Sequence, residues 1–376
     1  MKKKLLSLTL ATVMAASMFT ACGTGEKEAD TTKAETQTVQ ETDTQDTTKE
    51  IVVKTSESIS EVAEVESQED EDDLDGTESS DVDGMPTKDR SGNDITVPEH
   101  VEKIISMAPS TTQLLIDLGY ADQIIACDTY SGYSYGDQLT ADIPQFDMMS
   151  PDNEQIVALE PDIVFTTGMS YAGGEDVYAA VKAVDVCVAD IPSSNSLAEI
   201  EEDILFIGAC IGAEDAAAEI VEEMEESIET IKAIAADIPE DEKKTVLYEL
   251  STPTPDYPQI YTCGANTYID EMLTTIGAIN VAGEEEYQWP ALTEEAAVAA
   301  NPDVILSGDT YTPDVVNVIL NTEGWEAVTA VQEKAVYAVD GDAINRPNQH
   351  VVEAMYEMAQ WIYPEYFGKM ELPFAA

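Results

Sequence analysis

From residue 103 onward, apolar runs of strand length alternate with stretches whose apolar residues recur at helical spacing. "KIISM" (103–107) reads as the first strand, followed by a helix over "TTQLLIDLG" that Gly119 would close. "IIAC" (124–127) is the next strand, then a loop "DTYSGYSYGDQLTADIPQFDMM". A helix over 153–159, a strand "DIVFTT", a helix over 175–183 and a strand "VCVA" follow. Runs flanked by helices rather than hairpin turns imply parallel strands with right-handed crossovers. From Ser196 to Ala236 the only breaks are Gly208 and Gly212, and Ile220, Met224, Ile228, Ile231 and Ile234 keep helical spacing until Pro239. A helix of more than about 20 residues spans over 30 Å, longer than one lobe of this size needs. Alternation then resumes with "TVLYEL", helix "TYIDEMLTTIG", helix "TEEAAVAA", strand "DVILS", helix "PDVVNVIL", strand "AVYAV" and a closing helix over 349–362.

One unit is used twice. "EQIVALEPDIVF" (154–165) and "EAAVAANPDVIL" (295–306) each place a glutamate seven residues before Pro-Asp and an apolar run. Ser150 and Thr293 are the expected N-caps, and Pro161-Asp162 or Pro302-Asp303 turns helix into strand. The pattern predicts an α/β protein of two similar Rossmann-like lobes with parallel sheets, joined by one long rigid helix. The expected boundaries are 85–212 for the N-terminal lobe, 213–240 for the helix and 241–376 for the C-terminal lobe.

The chain's beginning adds an address. "MKKK", an apolar run from Leu5 to Phe19 and small residues before Cys22 form a secretory signal over 1–21, too short to span a bilayer. Phe19-Thr20-Ala21-Cys22 resembles the bacterial lipobox, which implies lipidation of Cys22 and a chain tethered to the extracytoplasmic face of the cell membrane. Residues 22–84 read as an acidic, disordered tether: from Gly23 to Gly84 there are 21 acidic residues against four lysines. The remainder holds 55 acidic and 10 basic residues, which excludes nucleic acid or another polyanion as partner. Cys127, Cys187, Cys210 and Cys263 show no CxxC spacing and at least two sit in apolar runs, so free buried thiols are expected. With two histidines, His100 and His350, no metal site is expected.

Candidate binding residues follow strand ends, where open parallel sheets hold ligands. Tyr130, Tyr133 and Tyr135 come after "IIAC", Tyr171 after "DIVFTT", Tyr257 and Tyr261 after "TVLYEL", and Arg346 after "AVYAV". Tyrosine offers a flat apolar face with a polar tip, suited to a large planar ligand. Trp289, in "YQWPALTEEAAV", lies six residues before Glu295, whereas Trp325 and Trp361 fall within or beside helices and suit a core.

"KIISMAPSTTQLLIDLG", the paired Glu…Pro-Asp units, the long helix and "INRPNQHVVEAMYEMAQWIYPE" together resemble the substrate-binding lipoproteins of ABC importers for cobalamin, iron-siderophores and heme, over residues 88–368. The resemblance implies two lobes with little hinge closure and a ligand between them. It implies a monomer that delivers the ligand to a permease dimer with ATPase subunits, with no catalytic residues and no cofactor beyond the cargo. The Trp-Pro spacing of Trp289 is similar to that of the cobalamin binders, and Tyr130 and Arg346 match a ring-contacting and a polar cleft residue. Glu154 and Glu295 match the carboxylates that dock on the permease arginines. With only Arg90 and Arg346 as arginines, an anionic cargo such as heme or a catecholate complex is disfavoured. Cobalamin or a related corrinoid fits first and a ferric siderophore of low or positive charge second. Gln113, where glutamate is usual, and "RPNQH", where Gly-Pro-Arg follows Arg-Pro, depart from the family pattern. A hydrolase using Glu154 and Glu295 is disfavoured, since acid–base pairs need carboxylates about 5–9.5 Å apart.

Overall fold

The computed structural model describes residues 84–171, 174–254 and 258–368, with the side chain of Tyr171 outside that description. Cys22, the signal, the tether up to residue 83 and Tyr257 lie outside the described residues.

Five strands, β1 (Ile104–Ser106), β2 (Ile124–Asp128), β3 (Gln145–Phe146), β4 (Ile163–Thr167) and β5 (Cys187–Ile191), form an all-parallel sheet in the order β3-β2-β1-β4-β5. The helices between them are α1 (Pro109–Asp117), α2 (Thr129–Tyr135), α3 (Asn153–Ala158) and α4 (Ala179–Lys182). After β5 the chain forms α5 (Leu197–Ile211) and α6 (Glu214–Ala235). A second parallel sheet, in the order β11-β10-β6-β8, joins β6 (Thr245–Glu249), β8 (Ile279–Asn280), β10 (Val304–Ser307) and β11 (Val336–Ala338), while β7 (Ile260–Tyr261) and β9 (Ala291–Leu292) pair as an antiparallel ribbon. The remaining helices are α7 (Tyr268–Thr275), α8 (Glu294–Ala300), α9 (Val315–Leu320), α10 (Thr329–Glu333), α11 (Gly341–Ile344), α12 (Val351–Ile362) and α13 (Pro364–Phe367). The order β2-β1-β4-β5 in one sheet is matched by β8-β6-β10-β11 in the other, so the repeat seen in the sequence is a repeat of topology.

Strands covered on both faces need unbroken apolar runs. Ile104 and Ile105 in β1, and Ile163 to Phe165 in β4, are fully buried. Helices also cover both faces of the second sheet: Leu247 and Ile305 pack with Val315, Ile319 and Trp325, and Val246 and Tyr248 join the other side. That other side is shared between the lobes. One apolar cluster runs from Ile104 and Leu115 through Ile204 and Cys210 of α5 and Met224 and Ile231 of α6 to Val246, Met272 and Met355.

The Pro-Asp echo has a physical origin. Each aspartate latches the start of its sheet's central strand: Asp162 Oδ2 accepts from the Glu102 and Lys103 backbone N–H groups at 2.8 Å, and Asp303 Oδ2 accepts from Thr245 N and Thr245 Oγ1 at 2.9 Å. Before each proline the chain turns with positive φ, 51° at Glu160 and 46° at Asn301.

Three expectations are corrected. The loop after "IIAC" contains α2 and β3, because Asp128 caps a helix there by accepting from Tyr130 N and Ser131 N. Asp152, not Ser150, caps α3 through Gln155 N at 3.0 Å, while Thr293 caps α8 as expected. Gly208 does not interrupt α5: it lets the Ala217 methyl approach so closely that a Cβ would lie 2.4 Å from it, and only Gly212, at φ 72°, breaks the helical run. Gly119 closes α1 at φ 84°, as the pattern predicts. Trp325 is 2% exposed and Trp361 stacks on Tyr337 at 5.1 Å. The four described cysteines are free and buried.

Candidate functional site

The carboxyl ends of the strands in both sheets face a common cleft of about 620 Å³. The first lobe lines it with residues 108–111 after β1, Tyr130 on α2, Met148 after β3, Met169 after β4 and residues 191–195 at the end of β5. The second lobe contributes Leu250 and Ser251 after β6, Tyr261, Trp289, residues around Tyr311 after β10, and the segment around α11. This is where parallel sheets leave polar strand ends and loop side chains free to meet a ligand.

Tyr130 is placed by a buried polar network. Asp128, fully buried, accepts from Tyr130 N at 2.8 Å and from the Ser131 hydroxyl, and Thr112 Oγ1 joins Ser106 and Ser131 at 2.7 and 2.8 Å. Burial pushes the Asp128 carboxyl above its ordinary value, against the pull of its Ser131 and Tyr130 bonds. Trp289, 40% exposed, is held from both sides: Gly264 N donates to Gln288 O at 2.7 Å and Thr262 N donates to Pro290 O at 3.1 Å. Only glycine fits at 264, since a Cβ would lie 2.0 Å from the Tyr287 carbonyl oxygen.

Tyr130, Trp289 and Arg346 line the cleft together, and Tyr261 joins them. Tyr133, 90% exposed and three residues beyond Tyr130 on the same helix, is not among the lining residues. Tyr135, the last residue of α2, is buried, its hydroxyl donating to Gln113 Oε1 at 2.7 Å. Tyr311, not among the residues expected from the sequence, also lines the cleft. The strand-end signal that singled out Tyr130 was available in "DVILSGDTY".

Arg346 is the only cationic side chain among the described residues lining the cleft, and it is engaged. Its Nη2 lies 2.5 Å from Asp342 Oδ1 and 2.7 Å from Ser134 Oγ, Nη1 donates to the Tyr135 hydroxyl, and its carbon sits 5.0 Å from the centre of the Tyr135 ring. Arg90 is likewise engaged, with Nε 2.6 Å from Asp203 and Nη2 2.6 Å from Glu202. Asp203, a lining residue, also accepts from Ser194 Oγ at 2.8 Å.

Both flanks of the cleft are bridged. Asn348 Nδ2 donates to Gln113 Oε1 at 3.0 Å, so the two family departures meet across the lobes. His350 sits between Asp117 at 2.9 Å and Glu353 at 3.0 Å; burial draws its pKa down, but the hydrogen bonds to Asp117 and Glu353 prevail and raise it to about 9. On the opposite flank Glu271 accepts from Leu197 N at 2.8 Å, and Gln288 donates to Asn195.

Glu154 and Glu295 occupy the second position of α3 and α8 and are exposed. The two helices precede equivalent strands, β4 and β10, so both carboxylates stand at the carboxyl edge of a sheet. The Glu295 carboxyl is held below its ordinary value by its own backbone N–H and by Thr293. Among the described residues no three His, Cys, Asp or Glu side chains form a metal-holding group, and no helix is long and apolar enough to cross a membrane.

Residues 104–343 match the family described as "Periplasmic binding protein". The "Uncharacterized ABC transporter substrate-binding lipoprotein YvrC" of Bacillus subtilis is 32% identical over 279 residues, covering 74% of this chain and 85% of that one. The "Molybdate-binding protein MolA" of Haemophilus influenzae is 26% identical over 305 residues, covering 74% and 84%. Its molybdate-bound crystal structure superposes with a TM-score of 0.65 at 22% identity, over 76% of this chain and 93% of that one. A "Cobalamin-binding protein" of Halobacterium salinarum is 24% identical over 278 residues, 72% of either chain. The chain therefore belongs to the periplasmic binding protein family, as a substrate-binding protein of an ABC importer rather than an enzyme.

Proposed function

We propose that the protein is a lipid-anchored monomer, attached through Cys22 outside the cytoplasmic membrane, that captures cobalamin or a related corrinoid and hands it to its permease. The observation that supports this ligand is the cleft's lining. Tyr130, Tyr261, Trp289 and Tyr311 offer aromatic faces around about 620 Å³, and the sole cation among the described lining residues is held by Asp342. Aromatic faces suit a broad ring system with polar fringes, and a cleft without a free cation suits a cargo of little or no negative charge. The ligand of the molybdate-binding relative is a small oxyanion, a poor match to a cleft whose lining guanidinium is already held by Asp342. A ferric siderophore of low or positive charge is the second reading, favoured by the same lack of free cations.

Titration of the protein with cyanocobalamin, followed by its intrinsic fluorescence, tests the ligand. Saturable quenching below micromolar concentration is expected, with affinity falling about tenfold or more in Trp289→Ala, the cost of about 1.4 kcal/mol or more for losing a ring contact. Silence with cyanocobalamin and tight binding of a ferric chelate would replace the corrinoid by the siderophore.

Docking on the permease is assigned to Glu154 and Glu295. Equivalent points on two similar lobes present two carboxylates to two permease subunits, and charge pairs of this kind orient a complex. Glutamate in a first helical turn also complements the helix dipole, but that role does not account for the shared spacing to the Pro-Asp latch. Glu154→Arg or Glu295→Arg should abolish uptake with ligand affinity unchanged; weakened binding would move these residues into the ligand site.

A further inference from the structure

We infer that Asp342 determines charge specificity: by engaging Arg346 it cancels the one cation among the described residues lining the cleft, and the cleft thereby excludes anionic cargo. This deepens the reading of the cleft as a corrinoid or ferric-chelate site and rests on it.

The geometry carries the assignment. Asp342 and Arg346 are four residues apart, and both line the cleft. Asp342 is fixed at the first turn of α11, where the Asp340 side chain accepts from its N–H at 2.9 Å. Gly341 beside it lets this turn sit on the 308–310 loop, since a Cβ there would lie 2.2 Å from the Thr310 methyl and 2.8 Å from Gly308 O. A guanidinium has five N–H donors in a planar fork, the natural grip for a carboxylate or oxyanion. Here Nη2 serves Asp342 and Ser134, and Nη1 serves Tyr135. Ser134 and Tyr135 are neutral partners and orient the fork. Asp342 alone neutralises it, and with its side chain 45% exposed it presents its carboxylate to an arriving ligand. The other carboxylate among the described residues lining the cleft, Asp203, is paired with Arg90, whose second partner Glu202 leaves that group one negative charge in excess. A ligand anion therefore meets a repulsive carboxylate before the single guanidinium, within a domain of strong negative charge.

The test measures affinity for probes of different charge, neutral cyanocobalamin, cationic aquocobalamin, and anionic hemin and molybdate, on the wild type, Asp342→Asn, and Asp342→Asn with Arg346→Gln. Asparagine keeps the shape and removes the charge. Asp342→Asn should strengthen hemin or molybdate binding by about tenfold or more, weaken aquocobalamin relative to cyanocobalamin, and lose the gain as salt rises. The double variant should lose the gain, which a merely structural role for Asp342 would not produce. Unchanged or unmeasurable anion binding in Asp342→Asn, or a gain that persists without Arg346, overturns the assignment. So does a wild type that already binds hemin or molybdate as tightly as Asp342→Asn does. If the wild type binds no corrinoid, the corrinoid reading falls separately, and the anion gain across the same three proteins still decides the role of Asp342.

Discussion

At the scale of single residues, both arginines are occupied by acidic partners. Arg90 and Arg346, the chain's only arginines, both join segments distant in sequence. Glu249 is the counter-case, a carboxyl 1% exposed at the end of β6 whose Oε2 has no partner. Burial, and then the nearby Asp309 charge, raise its pKa to about 8. Burial pushes Asp309 the other way from its outcome: the bonds from Thr312, Thr252 and Tyr311 override it and set that carboxyl at about 2. Glu249 is thus neutral in the folded protein while the unfolded chain ionises at its ordinary value near 4.5. Its contribution to stability is fully present below that value and is lost as pH rises towards 8, up to about 5 kcal/mol in all. Denaturation from pH 5 to 9 should show a shallower pH dependence in Glu249→Gln than in the wild type; parallel curves would contradict the neutral carboxyl. Such a residue was illegible in "TVLYEL", because strand-end glutamates are ordinarily solvated and only packing shows this one enclosed. Tyr130 was legible because strand ends of parallel sheets face a cleft, and Trp289 because its Trp-Pro spacing resembles that of the cobalamin binders. Tyr133 shares the strand-end signal of Tyr130 and the same helix face, but it stands a turn farther along α2, 90% exposed and outside the cleft lining.

At the scale of elements, the repeated unit separates into two jobs. Its aspartate belongs to the fold, tying Asp162 to the entry of β1 and Asp303 to that of β6. Asp162→Ala leaves two backbone N–H groups at a sheet's central strand without their acceptor, and should cost about 2–3 kcal/mol. Asp303→Ala should cost a similar amount, and equal losses in thermal melts would show that the latches are equivalent, whereas a loss near zero in either would make the echo incidental. Strands β1, β2, β4, β5, β6, β10 and β11, their parallel sense and the break at Gly212 were readable from apolar runs and a glycine at a helix end, whereas the two-residue strands β3, β7, β8 and β9 carry too short an apolar signal. The helix α2 was not readable: "TYSGYSY", with one glycine, two serines and three tyrosines, has low helix propensity, and it depends on the Asp128 cap and on the tertiary contacts of Tyr135.

At the scale of the whole molecule, the lobes are joined at both flanks of the cleft as well as through α5 and α6. The His350 bridge is the part that titrates. Its pKa is raised from 6.5 to about 9, so its contribution is complete below 6.5 and is lost as pH rises through 9. His350→Ala should lower stability by about 2–3 kcal/mol near pH 6, with the deficit closing by pH 10; a deficit independent of pH would assign His350 to packing instead. The cross-lobe contacts were beyond reach of the sequence, since Gln113 and Asn348 looked there like two unrelated departures and meet only in the folded chain.

The apolar cluster that passes from β1 through α5 and α6 to β6 has one more consequence. Neither half of the molecule owns a complete interior, so the duplication visible in topology no longer corresponds to two folding units. Heating should give a single calorimetric endotherm whose van't Hoff and measured enthalpies agree. A half-chain ended at Gly212 would bare the apolar stripe of α5 to water and persist, if at all, as an aggregate.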